Sequence, residues 1–210
     1  MPLIFQQDIT NTTKVGLWQI NENEDFFSDS NNSYSIKHPQ KRIQSLAGRN
    51  LITNLENSFP LSEIQILPSG KPVLINGEFH FSISHCRNFA AAIVSSTQIV
   101  GIDVELVTPR ILKLKDKFIS SYEEDIISKI NHSNEIIYTI CWSVKEAMFK
   151  WYGLGNVDFK KNLEIESLNI KQGAITGTCF VNKEQKIKLF IEGKIFNDII
   201  LVWTLDTTPQ

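Results

Sequence analysis

From Pro39 onward, Ile43, Leu46, Ala47, Asn50, Leu51 and Leu55 recur at steps of three and four while Lys41, Arg42 and Arg49 fall elsewhere, which predicts an amphipathic helix over HPQKRIQSLAGRNLITNLEN. Pro39 suits its first turn, where no intrahelical donor is lost. LPSGKP then reads as a turn, followed by FHFSISH, FAAAIVSS and IVGIDVEL, three closely spaced strand-like runs compatible with hairpins. LVTPR breaks that pattern. A second helical region follows in FISSYEEDIISKI, with Ser120 or Ser121 as N-cap, and in NEIIYTICWSVKEAMFKWYG, ended by Gly153. LEIESLNI, AITGTCF, KIKLFIEGKIF and IILVWTL read as alternating strands, and SDSNNS reads as a short polar loop. A helix and sheet followed by helices and sheet predicts an α+β chain of two similar α/β halves, residues 1–102 and 103–210, meeting near Gly101 to Thr108.

Composition narrows the picture. With 210 residues, 42% hydrophobic, 21% charged and a net charge of −2, the chain is long enough to bury a core and too weakly charged to take nucleic acid as a bulk partner. Cys86, Cys141 and Cys179 lack CxxC spacing, which fits reduced thiols in the cytoplasm better than disulfides or zinc. FAAAIV and IILVW fall far short of the roughly 20 apolar residues of a membrane helix, and MPLIFQQDI lacks a leader pattern, so no membrane is expected.

Candidate chemistry lies in three places. In IVGIDVEL, Asp103 and Glu105 are two apart, so both carboxylates leave one face of the strand while Ile102 and Val104 leave the other. Such a pair is either a solvated edge or a seat for a hard cation such as Mg²⁺ meeting a phosphorylated ligand. In WSVKEAMFK, Trp142, Glu146 and Lys150 form one stripe and Ile140, Val144, Ala147 and Trp151 face the core. Glu146 and Lys150 are either a plain surface pair or, if the helix crosses the GIDVE strand, a third carboxylate and a cation for the same site. In FSISHC, Ser84 and His85 precede a turn at Arg87-Asn88, and with Lys71, Arg42 and Arg49 they could supply a cationic patch for phosphates. No Walker, Rossmann, GxSxG or HExxH spacing is present.

Taken in order, SGKP, FSISH, GIDVE and WSVKEAMFK resemble the motif series of the 4′-phosphopantetheinyl transferase superfamily, in its larger single-chain type that activates peptide synthetases; KFISSYEE also looks like the family's stretch before the second helix. The resemblance implies a pseudo-twofold pair of α/β subdomains with coenzyme A and Mg²⁺ at their interface, in a monomer. It implies transfer of the 4′-phosphopantetheine arm of coenzyme A to a serine of an apo acyl or peptidyl carrier protein, with release of 3′,5′-ADP. Asp103, Glu105 and Glu146 would hold the metal, Mg²⁺ or Mn²⁺. Glu146 would serve as base, directly or through a metal-bound water, and Lys150 would contact phosphate. Ser84 and His85 would bind the 3′-phosphate end, Lys71 the nucleotide, with Arg42 and Arg49 nearby. LKLKDKF offers Lys113, Lys115 and Lys117 beside Leu112, Leu114 and Phe118 as a place for the carrier or, equally, a solvated loop. The rival readings are a coenzyme A-binding module without catalysis and a Mg²⁺-dependent nucleotide phosphohydrolase.

Overall fold

The computed structural model describes residues 2–27 and 36–206; the segment SDSNNS lies outside the described residues. Two compact units divide after Val100.

The first unit opens with a hairpin that the helix-then-sheet expectation lacks: β1 (Leu3–Thr10) and β2 (Thr13–Gln19) pair antiparallel. In LIFQQDIT the inward positions Leu3, Phe5 and Ile9 are interrupted by Gln7, and as the outermost strand it exposes Ile4, Gln6 and Asp8, so its alternation is too irregular to stand out in sequence. Helix α1 (Pro39–Leu55) follows, with Pro39 in its first turn as expected. A small ribbon of β3 (Ile64–Ile66) and β4 (Pro72–Leu74) precedes β5 (His80–Cys86) and β6 (Phe89–Ser95), which form the expected hairpin around Arg87-Asn88. The sheet order is β1-β2-β6-β5. Leu46, Ala47, Leu51, Ile52 and Leu55 of α1 pack with Ala90, Ala92 and Val94 of β6 and with Phe81 and Trp18. Small alanines on β6 let the helix lie close, and each large aliphatic side chain so buried contributes about 1.5–3 kcal/mol.

The second unit begins with β7 (Val100–Leu106). It does not extend the β5–β6 hairpin: β6 is already flanked by β2, and β7 joins the edge of a five-stranded sheet in the order β7-β11-β10-β9-β8. Short 3-10 turns at Pro109–Lys113 and Lys115–Lys117 lead to α2 (Ser121–Ile127) and α3 (Asn134–Tyr152). Ser120 is the N-cap of α2, in a capping box with Glu123, while Ser133 caps α3 and Gly153 ends it in the left-handed region at φ 71°. Strands β8 (Leu163–Lys171), β9 (Ala174–Asn182), β10 (Lys186–Phe196) and β11 (Ile199–Leu205) complete the sheet. IILVWTL does not alternate; all seven residues of β11 are buried, because this strand lies between β7 and β10. Ile140, Val144, Ala147 and Trp151 of α3 pack with Ile200 and Val202 of β11 and with Leu163 and Ile165 of β8. Among the described residues no helix is long and apolar enough to cross a membrane.

Candidate active site on β7 and α3

Gly101 decides how near α3 can come to β7. A Cβ there would lie 2.0 Å from the Ala147 carbonyl oxygen and 2.8 Å from the Trp151 nitrogen, so only glycine lets the helix backbone rest directly on the strand. Two residues along the same strand face is Asp103, 3% exposed, and two further is Glu105. Ile102 and Val104, of opposite parity, are fully buried. On α3, one turn beyond Glu146, Lys150 donates from Nζ to Asp103 Oδ1 at 2.7 Å and to the Ile102 carbonyl at 3.1 Å. One turn before Glu146, the Trp142 indole N–H donates to Glu105 Oε1 at 3.3 Å. The Trp142–Glu146–Lys150 stripe thus meets the Asp103–Glu105 face rung by rung.

Glu146 carries the electrostatic consequence. Burial, then the carboxylates of Asp103 and Glu105, push its pKa from 4.5 up to about 7, with Lys150 pulling in the opposite direction. Three carboxylates and one ammonium sharing so small a volume leave excess negative charge, and hard carboxylate oxygens are the donors that Mg²⁺ and Mn²⁺ prefer. The donor chemistry therefore fits a divalent cation. Among the described residues, however, no set of three or more His, Cys, Asp or Glu side chains is arranged to hold a metal ion as it stands, and the Lys150 ammonium is what compensates Asp103.

The phosphate-patch candidates all belong to the first unit. Ser84 is buried and His85 exposed, because neighbours on β5 leave opposite faces. Burial lowers the Lys71 pKa from 10.5 to about 8. Arg42 grips Glu24 in a fork, Nε to Oε2 at 2.8 Å and Nη2 to Oε1 at 2.9 Å, and Nη1 donates to the Ile36 carbonyl. Arg49 makes no such ion pair among the described residues, and burial lowers its pKa. In LKLKDKF, Lys115 turns to Glu124 and Tyr138, at 3.0 and 3.2 Å, and Phe118 is buried, leaving Lys113 and Lys117 exposed.

Pattern reading missed Lys145. It is fully buried, its Nζ 2.7 Å from Glu123 Oε1, and it donates to the Phe118 and Phe159 carbonyls. The signal was on the page in two parts, a lysine on the apolar side of α3 and the Ser120-x-x-Glu123 box, but Glu123 reads as a cap and its second task is a matter of tertiary contact.

Comparison with known proteins agrees with the superfamily resemblance over the segment that holds GIDVE and WSVKEAMFK. Residues 99–201 match the family model described as the 4′-phosphopantetheinyl transferase superfamily. The chain is 35% identical over 89 residues to 4′-phosphopantetheinyl transferase psf-1 of Bacillus pumilus, covering 41% of this chain and 38% of that one. It is 28% identical over 152 residues to a Haemophilus influenzae protein bearing the same enzyme name provisionally, covering 63% and 64%, and 28% identical over 125 residues to 4′-phosphopantetheinyl transferase ffp of Bacillus subtilis, covering 56% and 55%. The matches thus span less than two thirds of each relative's length. Residues 99–201, just under half of the chain, which include β7, α3 and the carboxylates they carry, are thus similar to the 4′-phosphopantetheinyl transferase superfamily.

Proposed function

We propose that the chain transfers the 4′-phosphopantetheine arm of coenzyme A to a serine hydroxyl of an apo carrier protein and releases 3′,5′-ADP. The observation that carries this reading is the meeting of Asp103 and Glu105 with Glu146 and Lys150 inside the family-matched segment. The serine Oγ attacks the phosphorus that bears the pantetheine arm. The bond from that phosphorus to the pyrophosphate bridging oxygen breaks, its electron pair leaves with 3′,5′-ADP, and the serine proton passes to Glu146. With no cation bound the Glu146 pKa lies at about 7, and a bound cation would lower it, so in the loaded site Glu146 is the ionised carboxylate that can accept the proton, directly or through a water. Lys150, already a neutralising charge beside Asp103, compensates charge growing on the leaving phosphate. Asp103, Glu105 and Glu146 would hold the divalent cation, which when bound offsets the charge of the pyrophosphate.

Arg49, Lys71, Ser84 and His85 are the proposed contacts for the nucleotide and 3′-phosphate of coenzyme A. A phosphate beside Lys71 would restore the charge that burial weakens. Arg42 joins them only by exchanging Glu24 for phosphate. The carrier proteins served by such chemistry are best met through local charge, here Lys113 and Lys117, because the net charge of −2 supplies no global attraction.

The test is intact-protein mass spectrometry of an apo carrier after incubation with coenzyme A, Mg²⁺ and the protein, beside Glu146→Gln. The expected result is a gain of one phosphopantetheine arm, lost in the variant and on chelation. Coenzyme A binding without any gain supports the non-catalytic module, and 3′,5′-ADP release without a carrier supports the phosphohydrolase.

A further inference from the structure

Beside the carboxylate cluster, on the Trp142 side of α3, lies a buried assembly that the transfer chemistry does not itself use. Lys145 has three N–H donors and three partners: Glu123 Oε1 at 2.7 Å, the Phe118 carbonyl at 2.5 Å and the Phe159 carbonyl at 2.9 Å. Glu123 is equally occupied, since its Oε2 accepts from the Ser120 backbone N–H at 2.8 Å and hydroxyl at 2.9 Å, and its Oε1 also accepts from the Ile165 N–H at 2.9 Å. Both side chains are fully buried. A pair so completely satisfied has one low-energy arrangement, and the two carbonyls it grips are fixed with it.

Those carbonyls belong to the two residues whose rings hold Trp142. The Phe118 ring meets the indole edge-on, with centroids 5.2 Å apart at 67°, and the Phe159 ring stacks on it at 5.4 Å and 26°. Phe149 packs on Phe159 in turn, at 5.7 Å. The indole has a single polar atom, and that atom donates to Glu105. A continuous set of contacts therefore runs from Glu123 and Lys145 through the Phe118 and Phe159 backbones, across their rings, to Trp142 and on to a carboxylate oxygen of the candidate cation site.

We propose that Trp142, held by the Phe118 and Phe159 rings that the Glu123–Lys145 pair anchors, is a positioning residue that fixes the Glu105 carboxylate for a divalent cation. This rests on the proposed function only in taking Glu105 as a cation ligand. An indole clamped on two sides by rings presents its N–H in one direction, so the carboxylate it bonds loses its rotational freedom before the cation arrives, and binding does not have to impose that order.

The test uses the full chain and two variants that keep the ion pair intact. Trp142→Phe retains an aromatic ring in the cluster and removes only the N–H, and Phe159→Leu removes the stacked ring but keeps the carbonyl that Lys145 grips. Mn²⁺ affinity is read by isothermal titration calorimetry, and the tryptophan fluorescence of the wild type minus that of Trp142→Phe isolates Trp142 from the other three tryptophans. The expected result is Mn²⁺ affinity reduced about tenfold in Trp142→Phe, a smaller reduction in Phe159→Leu, thermal unfolding midpoints close to wild type, and a difference fluorescence that follows Mn²⁺ saturation. A purely structural role predicts unchanged Mn²⁺ affinity and a difference fluorescence blind to Mn²⁺, and that outcome overturns the proposal. Wild-type protein that modifies a carrier yet shows equal Mn²⁺ affinity in both variants sinks the positioning role alone. Wild-type protein that binds no Mn²⁺ sinks it together with the assignment of Glu105, whatever the transfer assay reports.

Discussion

At Glu146 the sequence pattern leaves two possibilities, a surface partner for Lys150 or a site carboxylate; in the structure Lys150 bonds Asp103, and burial and neighbouring carboxylates raise the Glu146 pKa to about 7. The sign of the consequence is fixed. A carboxyl bound more tightly to its proton in the folded protein contributes stability fully present below its unfolded pKa near 4.5, lost as pH rises through the folded value. In chelator, then, the melting temperature of Glu146→Gln minus that of wild type should grow between pH 4.5 and 7 and level off above. Added Mg²⁺ should shrink the difference, and a flat difference across that range would remove the electrostatic account. Lys150→Met takes away the one charge that lowers the Glu146 pKa. Its expected effects on carrier modification are a fall in kcat/KM on the order of 100-fold and an acid limb of the pH–rate profile displaced to higher pH.

Elements set these residues, and two contacts govern how. Gly101→Ala would drive a methyl into the Ala147 carbonyl, so α3 must lift from β7; a loss of about 2–4 kcal/mol in urea unfolding is expected, with carrier modification abolished even where the variant remains folded. Lys145→Met should cost about 3–5 kcal/mol because it strands the Glu123 carboxylate in a fully buried place, while Glu123→Gln with Lys145→Met, which removes that charge but keeps an acceptor for the Ser120 and Ile165 N–H groups, should recover part of that loss. Equal and additive losses would mean the pair is not coupled. Helices α1 and α3 were legible because their stops and starts are chemical, Pro39 at one end and Gly153 at the other, and because their apolar period is long. The Asp103–Glu105 face was legible from strand parity alone. What could not be read was pairing: β7 leaves its sequence neighbour β6 for β11, nearly a hundred residues on, and the apolar face of β1, Leu3, Phe5 and Ile9, is broken by Gln7. The Lys145 partners come from three separate segments, and no local period records them.

For the whole molecule, a net charge of −2 means that a polyanion such as coenzyme A must be met by a few chosen cations rather than by a general field. The sequence offered Arg42 and Arg49 on equal terms, about two turns apart along α1. Structure makes them unequal. Arg42 is already neutralised in a two-pronged bond to Glu24, so taking it to a phosphate requires breaking two charge-assisted hydrogen bonds and leaving Glu24 unmatched. Arg49 has no such carboxylate to give up among the described residues, and its lowered pKa shows an environment in which an anion would be welcome. Arg49→Ala is therefore expected to raise the KM for coenzyme A by about tenfold to 100-fold, the scale of one charge-assisted contact at about 1.5–3 kcal/mol, with little change in melting temperature. Arg42→Ala is expected to do the reverse, shifting the melting temperature slightly and the KM by less than about twofold, as a partly exposed ion pair of less than about 1 kcal/mol requires. Steady-state kinetics over coenzyme A concentration at two ionic strengths separates them, since the salt dependence of KM should be smaller in Arg49→Ala than in the wild type and unchanged in Arg42→Ala. A larger KM effect from Arg42 than from Arg49 would mean that Glu24 yields its partner on binding, and that the fork on α1 is a latch for the phosphate rather than a brace for the fold.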